Sequence, residues 1–112
     1  LQDAGYRLFI VTNQVGVARG YFSEEDLPAV FERLGALLAP FGVTLDGYAY
    51  CPNHPDGSVE RYAIACNRRK PQPGMLLELA HTHGIDLSQS WMLGDILHDV
   101  EAGNRAGCRT IL

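Results

Sequence analysis

Short apolar runs alternating with stretches of helical periodicity organise this chain. Tyr6 to Val11 (YRLFIV) is nearly continuous in apolar character and is bounded by Gly5 and by polar Thr12-Asn13-Gln14. That pattern predicts a central parallel strand buried on both faces. A loop through Gly16 and Gly20 leads to Ser23-Glu24-Glu25-Asp26, where Ser23 is suited to cap a helix and the acids complement its N-terminal dipole. Leu27, Val30, Phe31, Leu34, Leu37 and Leu38 follow at helical spacing, with an end expected near Pro40-Phe41-Gly42.

Gly47 to Tyr50 predicts a second strand, and Pro52 to Pro73 carries prolines and charges without sustained periodicity, the signature of a long functional loop. A helix is expected over Gly74 to Thr82, with a turn at Gly84. Further expectations are a strand at Ser90 to Leu93, a helix from Leu97 to Ala106 ended by Gly107, and a last strand beginning at Thr110-Ile111-Leu112. Strands alternating with helices predict a doubly wound parallel sheet of the α/β, Rossmann-like class. Ligands in such sheets bind at the carboxyl ends of strands. Leu1 to Ala4 read as the tail of a helix stopped by Gly5. One turn does not recover its own nucleation cost, so the chain is expected to be truncated at both ends.

The 112 residues, 46% of them hydrophobic, suffice for one domain, residues 1–112. A net charge of -4 without any basic run argues against general nucleic-acid binding, leaving a small anionic ligand open. No apolar stretch reaches the length of a membrane span. Cys51, Cys66 and Cys108 are an odd set, expected of a reducing compartment, with the cytoplasm as the default. A monomer without nucleic-acid or membrane partners is expected.

Three polar clusters carry candidate chemistry. Thr12 offers a hydroxyl at a strand end, where a phosphoryl oxygen fits, although Thr12-Asn13 also suits an ordinary turn. Arg69-Lys70-Pro71 ends the long loop: Lys70 can act as a point charge on phosphate and Arg69 as a bidentate fork. With Arg68 beside them, the same residues also fit a solvated basic cluster. Gly94-Asp95 and Asp99 set two carboxylates four residues apart, on one side of a helix's first turn if the helix starts at once. Asp95 is suited to Mg²⁺, and Asp99 to orienting Lys70, to holding a metal-bound water, or simply to favouring the helix N-terminus. Hydroxyl, cation and carboxylate together are what phosphoryl transfer requires.

Val11-Thr12-Asn13-Gln14, Arg69-Lys70-Pro71 and Gly94-Asp95 with Asp99 resemble the second, third and fourth motifs of haloacid dehalogenase superfamily phosphatases. The run from Thr12 to Phe22 (TNQVGVARGYF), Cys51 to Pro55 (CPNHP) and Arg69 to Leu76 (RKPQPGML) is similar to the heptose bisphosphate phosphatase branch. A histidinol-phosphatase branch shares the Thr-Asn-Gln and Arg-Lys-Pro elements but fits Ala18 to Phe22 less well. The resemblance implies a Mg²⁺-dependent hydrolase of a phosphorylated sugar, in carbohydrate metabolism leading to lipopolysaccharide precursors. It assigns Thr12 and Lys70 to the transferring phosphoryl group and Arg69 to substrate, with Asn13, Gln14 and Val15 lining the pocket. Asp95 would bind Mg²⁺, with Asp99 behind it.

The family's Asp-x-Asp, which supplies the nucleophile and the general acid and base, does not occur in these residues. It is expected upstream, and the chain by itself is expected not to catalyse. The branch also commonly carries a structural zinc on a Cys-x-His and a Cys-x-Cys. Here Cys51, Asn53, Cys66 and Arg68 occupy those positions, so two ligands are replaced and zinc is not expected, His54 being the one offset substitute. Ile96 stands where the enteric form has a lysine. A homologue that only binds phosphorylated ligand is the reading from a different class. His81, His83 and His98 have no ligand spacing and are expected on helix surfaces.

Overall fold

In strand β1, Phe9–Asn13, alternate residues serve opposite faces. Phe9 and Val11 pack with Ala49, Cys51, Met75 and Leu79 on one side, and Ile10 packs with Val17, Ala18, Leu27 and Phe31 on the other. The second cluster includes Tyr50 and Tyr62. Strand β2, Gly47–Cys51, pairs with β1 in parallel, Phe9 opposite Gly47 and Asn13 opposite Cys51. This is a sheet covered on both faces, as the apolar run predicts, although every β1 residue keeps partial exposure.

The computed structural model describes residues 5–112, so the helix tail expected at Leu1 to Ala4 lies outside the described residues. After β1 come α1, Val15–Ala18, and α2, Leu27–Leu38, then β2. Next follow the 52–73 loop, α3 (Gly74–His83), β3 (Trp91–Leu93), α4 (Leu97–Ala106) and β4 (Arg109–Ile111). β3 and β4 form a second parallel pair, Trp91 opposite Arg109 and Leu93 opposite Ile111. Among the described residues the strands make two parallel pairs, β1–β2 and β3–β4, in place of one continuous sheet. The class is nevertheless the expected one, since each strand is connected to its parallel partner through a helix.

α3 packs on β2, and α4 covers β3 and β4. Gly103 of α4 sits so close to the strands that a Cβ there would lie 2.7 Å from Met92 Cβ and 2.6 Å from Thr110 Cγ2. Met92 is buried beneath it, whereas Trp91 and Leu93 on the alternate face are exposed. α3 and α4 end at Gly84 and Gly107, both left-handed, with φ of 65° and 89°.

Several boundaries differ from the sequence reading. β1 begins at Phe9 and runs through Thr12 and Asn13, because β2 continues the ladder opposite them and Gln14 N–H donates to Cys51 O at 2.8 Å. Leu8 is held outside the strand by its N–H to Asp46 Oδ2 at 2.7 Å. α1 falls in the expected loop. Ser23 caps as predicted, but its first product is a 3₁₀ turn over Glu24–Asp26 that feeds α2. Of the six apolar α2 positions only Leu27 and Phe31 are buried, while Val30 and Leu37 are about half exposed. His81 and His98 are exposed on helices, but His83 is half-buried, its ring 4.9 Å from that of Phe9.

Candidate functional site

Lys70 gathers the three polar clusters. It leaves the 52–73 loop, precedes a cis peptide to Pro71, and is clasped at its backbone by Asn13 at the end of β1. Asn13 Nδ2 donates to Lys70 O at 3.2 Å, and Lys70 N–H donates to Asn13 Oδ1 at 3.0 Å. The Lys70 ammonium donates to Val11 O at 3.2 Å and pairs with Asp99. It thereby joins the carboxyl end of β1 to the first turn of α4, which follows β3. The side chains of Lys70 and Asp99 are only 12% and 6% exposed, so solvent screens their charges little.

Asp99 has two duties. One carboxylate oxygen meets Lys70, and the other accepts the backbone N–H groups of Asp95 at 3.2 Å and Ile96 at 3.4 Å. Burial alone would push its carboxyl up; the hydrogen bond and charge of Lys70, with those two N–H groups, outweigh burial and hold it below the usual carboxylate range. Orientation of Lys70 and support of the helix N-terminus, alternatives in the sequence, coexist here. Gly94 makes room, since a Cβ on it would collide with the Asp99 side chain.

Asp95 is not on the helix with Asp99. α4 starts at Leu97, and Ile96 before it is extended, so Asp95 stands in the turn after β3 with an exposed side chain. Its carboxylate has no hydrogen-bond or ion-pair partner among the described residues. A hard, unengaged oxygen donor at a strand's carboxyl end suits Mg²⁺, which takes one or two carboxylates plus phosphate oxygens and water. Among the described residues no three His, Cys, Asp or Glu side chains gather around one point.

Thr12 Oγ1 donates to Asn13 O at 3.3 Å and accepts from Gln14 Nε2 at 3.0 Å. Gln14 and Val15 follow directly at the start of α1 and are half-buried. Arg69 has one buried guanidinium nitrogen, NH1, without a hydrogen-bond partner, which is costly for a charged donor left so. Arg68 Nε lies 3.1 Å from Glu78 Oε2, close enough for an ion pair yet misaligned for a hydrogen bond.

Of the residues left for zinc, two come together. Cys51 and Cys66 sulfurs are 3.3 Å apart, but the described residues contain no three-ligand group, and His54 Nδ1 accepts from Asp56 N–H at 3.0 Å.

One cluster escaped the sequence reading. Glu24 accepts from Tyr62 OH at 2.7 Å and from Tyr50 OH at 2.9 Å, tying the turn before α2 to β2 and to the long loop. Those two phenols, that of Tyr62 first, hold the Glu24 carboxyl below its usual range. Nothing local signals this, because the partners are 26 and 38 residues away.

Residues 67–112 match the family model described as HAD-hydrolase-like. Over 107 residues the chain is 46% identical to a D-glycero-β-D-manno-heptose-1,7-bisphosphate 7-phosphatase of Rhodopseudomonas palustris, covering 96% of this chain and 59% of that protein. Its fold is similar to that of a Mesorhizobium loti protein described as HAD-like, with TM-score 0.90, 42% identity, and coverage of 96% of this chain and 51% of the other. It is also similar to the D,D-heptose 1,7-bisphosphate phosphatase of B. bronchiseptica in complex with magnesium and phosphate. There the TM-score is 0.83 and the identity 34%, over 98% of this chain and 57% of the other. The chain thus resembles the haloacid dehalogenase-like phosphatases, and among them the heptose bisphosphate phosphatases. It spans less than two thirds of the length of these relatives.

Proposed function

We propose that these residues form the phosphate-binding part of a Mg²⁺-dependent phosphomonoesterase acting on a sugar bisphosphate, D-glycero-D-manno-heptose 1,7-bisphosphate being the substrate favoured by likeness. The observation that carries this is the reach of Lys70 from β1's carboxyl end to Asp99, which brings three separate motifs to one edge of the strands. An ammonium held there, with an unengaged carboxylate on the neighbouring turn, is the charge arrangement a phosphoryl group and its cation need.

Lys70, positioned by Asn13 and Asp99, neutralises phosphoryl charge. Thr12 turns its hydroxyl from its present neighbours to a phosphoryl oxygen. Arg69, with a buried donor lacking a partner, recognises substrate, and Asn13, Gln14 and Val15 shape the wall. Mg²⁺ held by Asp95 would supply further charge neutralisation at the phosphoryl oxygens. The nucleophilic aspartate and the general acid and base come from residues outside these 112, in keeping with the share of the relatives' length that the chain spans.

We place the protein in the cytoplasm as a monomer. Among the described residues no helix is long and apolar enough to cross a membrane.

The test is orthophosphate release by the full-length protein, with Mg²⁺, from heptose 1,7-bisphosphate, histidinol phosphate and hexose monophosphates. The proposal expects the heptose bisphosphate to have the highest kcat/KM, with one equivalent of phosphate released. Preference for histidinol phosphate would move the chain to the neighbouring branch. Saturable binding of the bisphosphate without release would favour a ligand-binding homologue.

A further inference from the structure

Cys51 closes β2 and is fully buried, while Cys66 lies half-buried in the 52–73 loop, its sulfur 3.3 Å from that of Cys51. Both are free thiols. The environments of the two differ in kind. Cys66 is opposed by burial, but its sulfur also faces the Asn53 side chain, the Cys51 thiol and the backbone N–H groups of Arg68 and Arg69. Those donors outweigh burial and hold the Cys66 thiol below its ordinary range. Cys51, deeper and with few donors, has its thiol pushed by burial up to about 11. Burial likewise raises Cys108, which has no sulfur partner among the described residues.

A half-buried sulfur 3.3 Å from a fully buried one is the arrangement of an attacking and a resolving cysteine. We propose that Cys66 and Cys51 form a thiol–disulfide exchange site for small-molecule disulfides, Cys66 attacking and Cys51 resolving. The Cys66 thiolate attacks one sulfur of the disulfide, forming a mixed disulfide and releasing a thiolate that takes up a proton. Cys51 then gives its proton to solvent and attacks the Cys66 sulfur. The mixed disulfide breaks, and the second small thiolate leaves and is protonated. In sum, two protein thiols are oxidised to one disulfide and one small disulfide is reduced to two thiols.

Turning toward Cys51 draws the Cys66 sulfur from the N–H groups of Arg68 and Arg69, and Lys70 is the next residue. Oxidation therefore reaches the segment that Asn13 clasps. Only the expectation that this alters phosphate release rests on the function proposed above. The exchange itself does not.

The test is to equilibrate the full-length protein with oxidised and reduced glutathione over a range of ratios, alkylate remaining thiols with iodoacetamide, and map peptides by mass spectrometry. The expected result is a Cys51–Cys66 cross-link, seen as loss of two hydrogens, with Cys108 still alkylated. Cys51→Ala should trap glutathione on Cys66, and Cys66→Ser should leave Cys51 without an adduct. Alkylation of all three thiols at every ratio would overturn the site. So would a stoichiometric metal ion that keeps both sulfurs unreactive until a chelator removes it. The unsubstituted protein decides the matter even if a variant misfolds.

Discussion

The Asn13 side chain holds the Lys70 backbone from both sides, donating to its carbonyl and accepting from its N–H across 57 residues of sequence. A strand-end amide thus fixes where the loop delivers its ammonium, and Lys70 then meets Asp99.

Replacing Asn13 with Ala removes both bonds and leaves a part-buried peptide without partners. Each is worth about 1 kcal/mol net, so chemical denaturation should show a loss of about 2 kcal/mol. Asn13→Asp keeps only the acceptor and should fall between the two. Equal stability of all three proteins would show that the loop is placed by other contacts.

Asp99 gives acid sensitivity with a defined sign. Its carboxyl is held below the ordinary carboxylate value in the folded state, so its contribution is complete above that value and is lost as pH falls through the lower, folded one. Asp99→Asn should cost about 3 kcal/mol at neutral pH, since it leaves the Lys70 charge buried without its carboxylate. It should also flatten the fall of melting temperature below about pH 4. The slope should not vanish, because Glu24 titrates in the same direction. Parallel curves for the two proteins would contradict this role.

Gly94→Ala tests the same corner sterically. The new methyl would occupy the position of the Asp99 side chain, and the first turn of α4 must move to relieve it. Overpacking of this kind costs about 1–3 kcal/mol, measurable by urea denaturation. A variant as stable as the parent would mean that α4 can shift freely.

Glu24 anchors the long loop through two phenols. In Tyr50, burial first and Glu24 second raise the phenol; in Tyr62, the Glu24 hydrogen bond comes first. Glu24→Ala should lower the melting temperature by roughly 5 °C. It should also bring the ionisation of these tyrosines to lower pH in an absorbance titration. An unchanged tyrosine titration would remove Glu24 from that role.

The alternation of strands and helices was legible because the apolar runs of β1 and β2 need cover on both faces, and Phe9, Ile10 and Val11 do face opposite clusters. α1 was not, since Val15-Gly16-Val17-Ala18 has poor helix propensity and turns because Val17 and Ala18 are buried. Thr12 and Asn13 looked like loop residues because side-chain polarity says nothing of a ladder that β2 extends. At the site, Lys70 with Asp99 was readable from charge and order along the chain. The Asn13 clasp, the Glu24 anchor and the Cys51–Cys66 contact were not, because each depends on where the 52–73 loop folds back.

Asp95 offers the most direct test of the account, because its exposed carboxylate serves no contact among the described residues and its loss should cost the fold nothing. The measurement is Mg²⁺-dependent orthophosphate release from heptose 1,7-bisphosphate by the full-length protein and by Asp95→Asn, beside their melting curves without metal. An amide is a poor ligand for a hard cation. The account predicts release reduced by at least about a hundredfold with superimposable melting, whereas unchanged release at any Mg²⁺ concentration would contradict it.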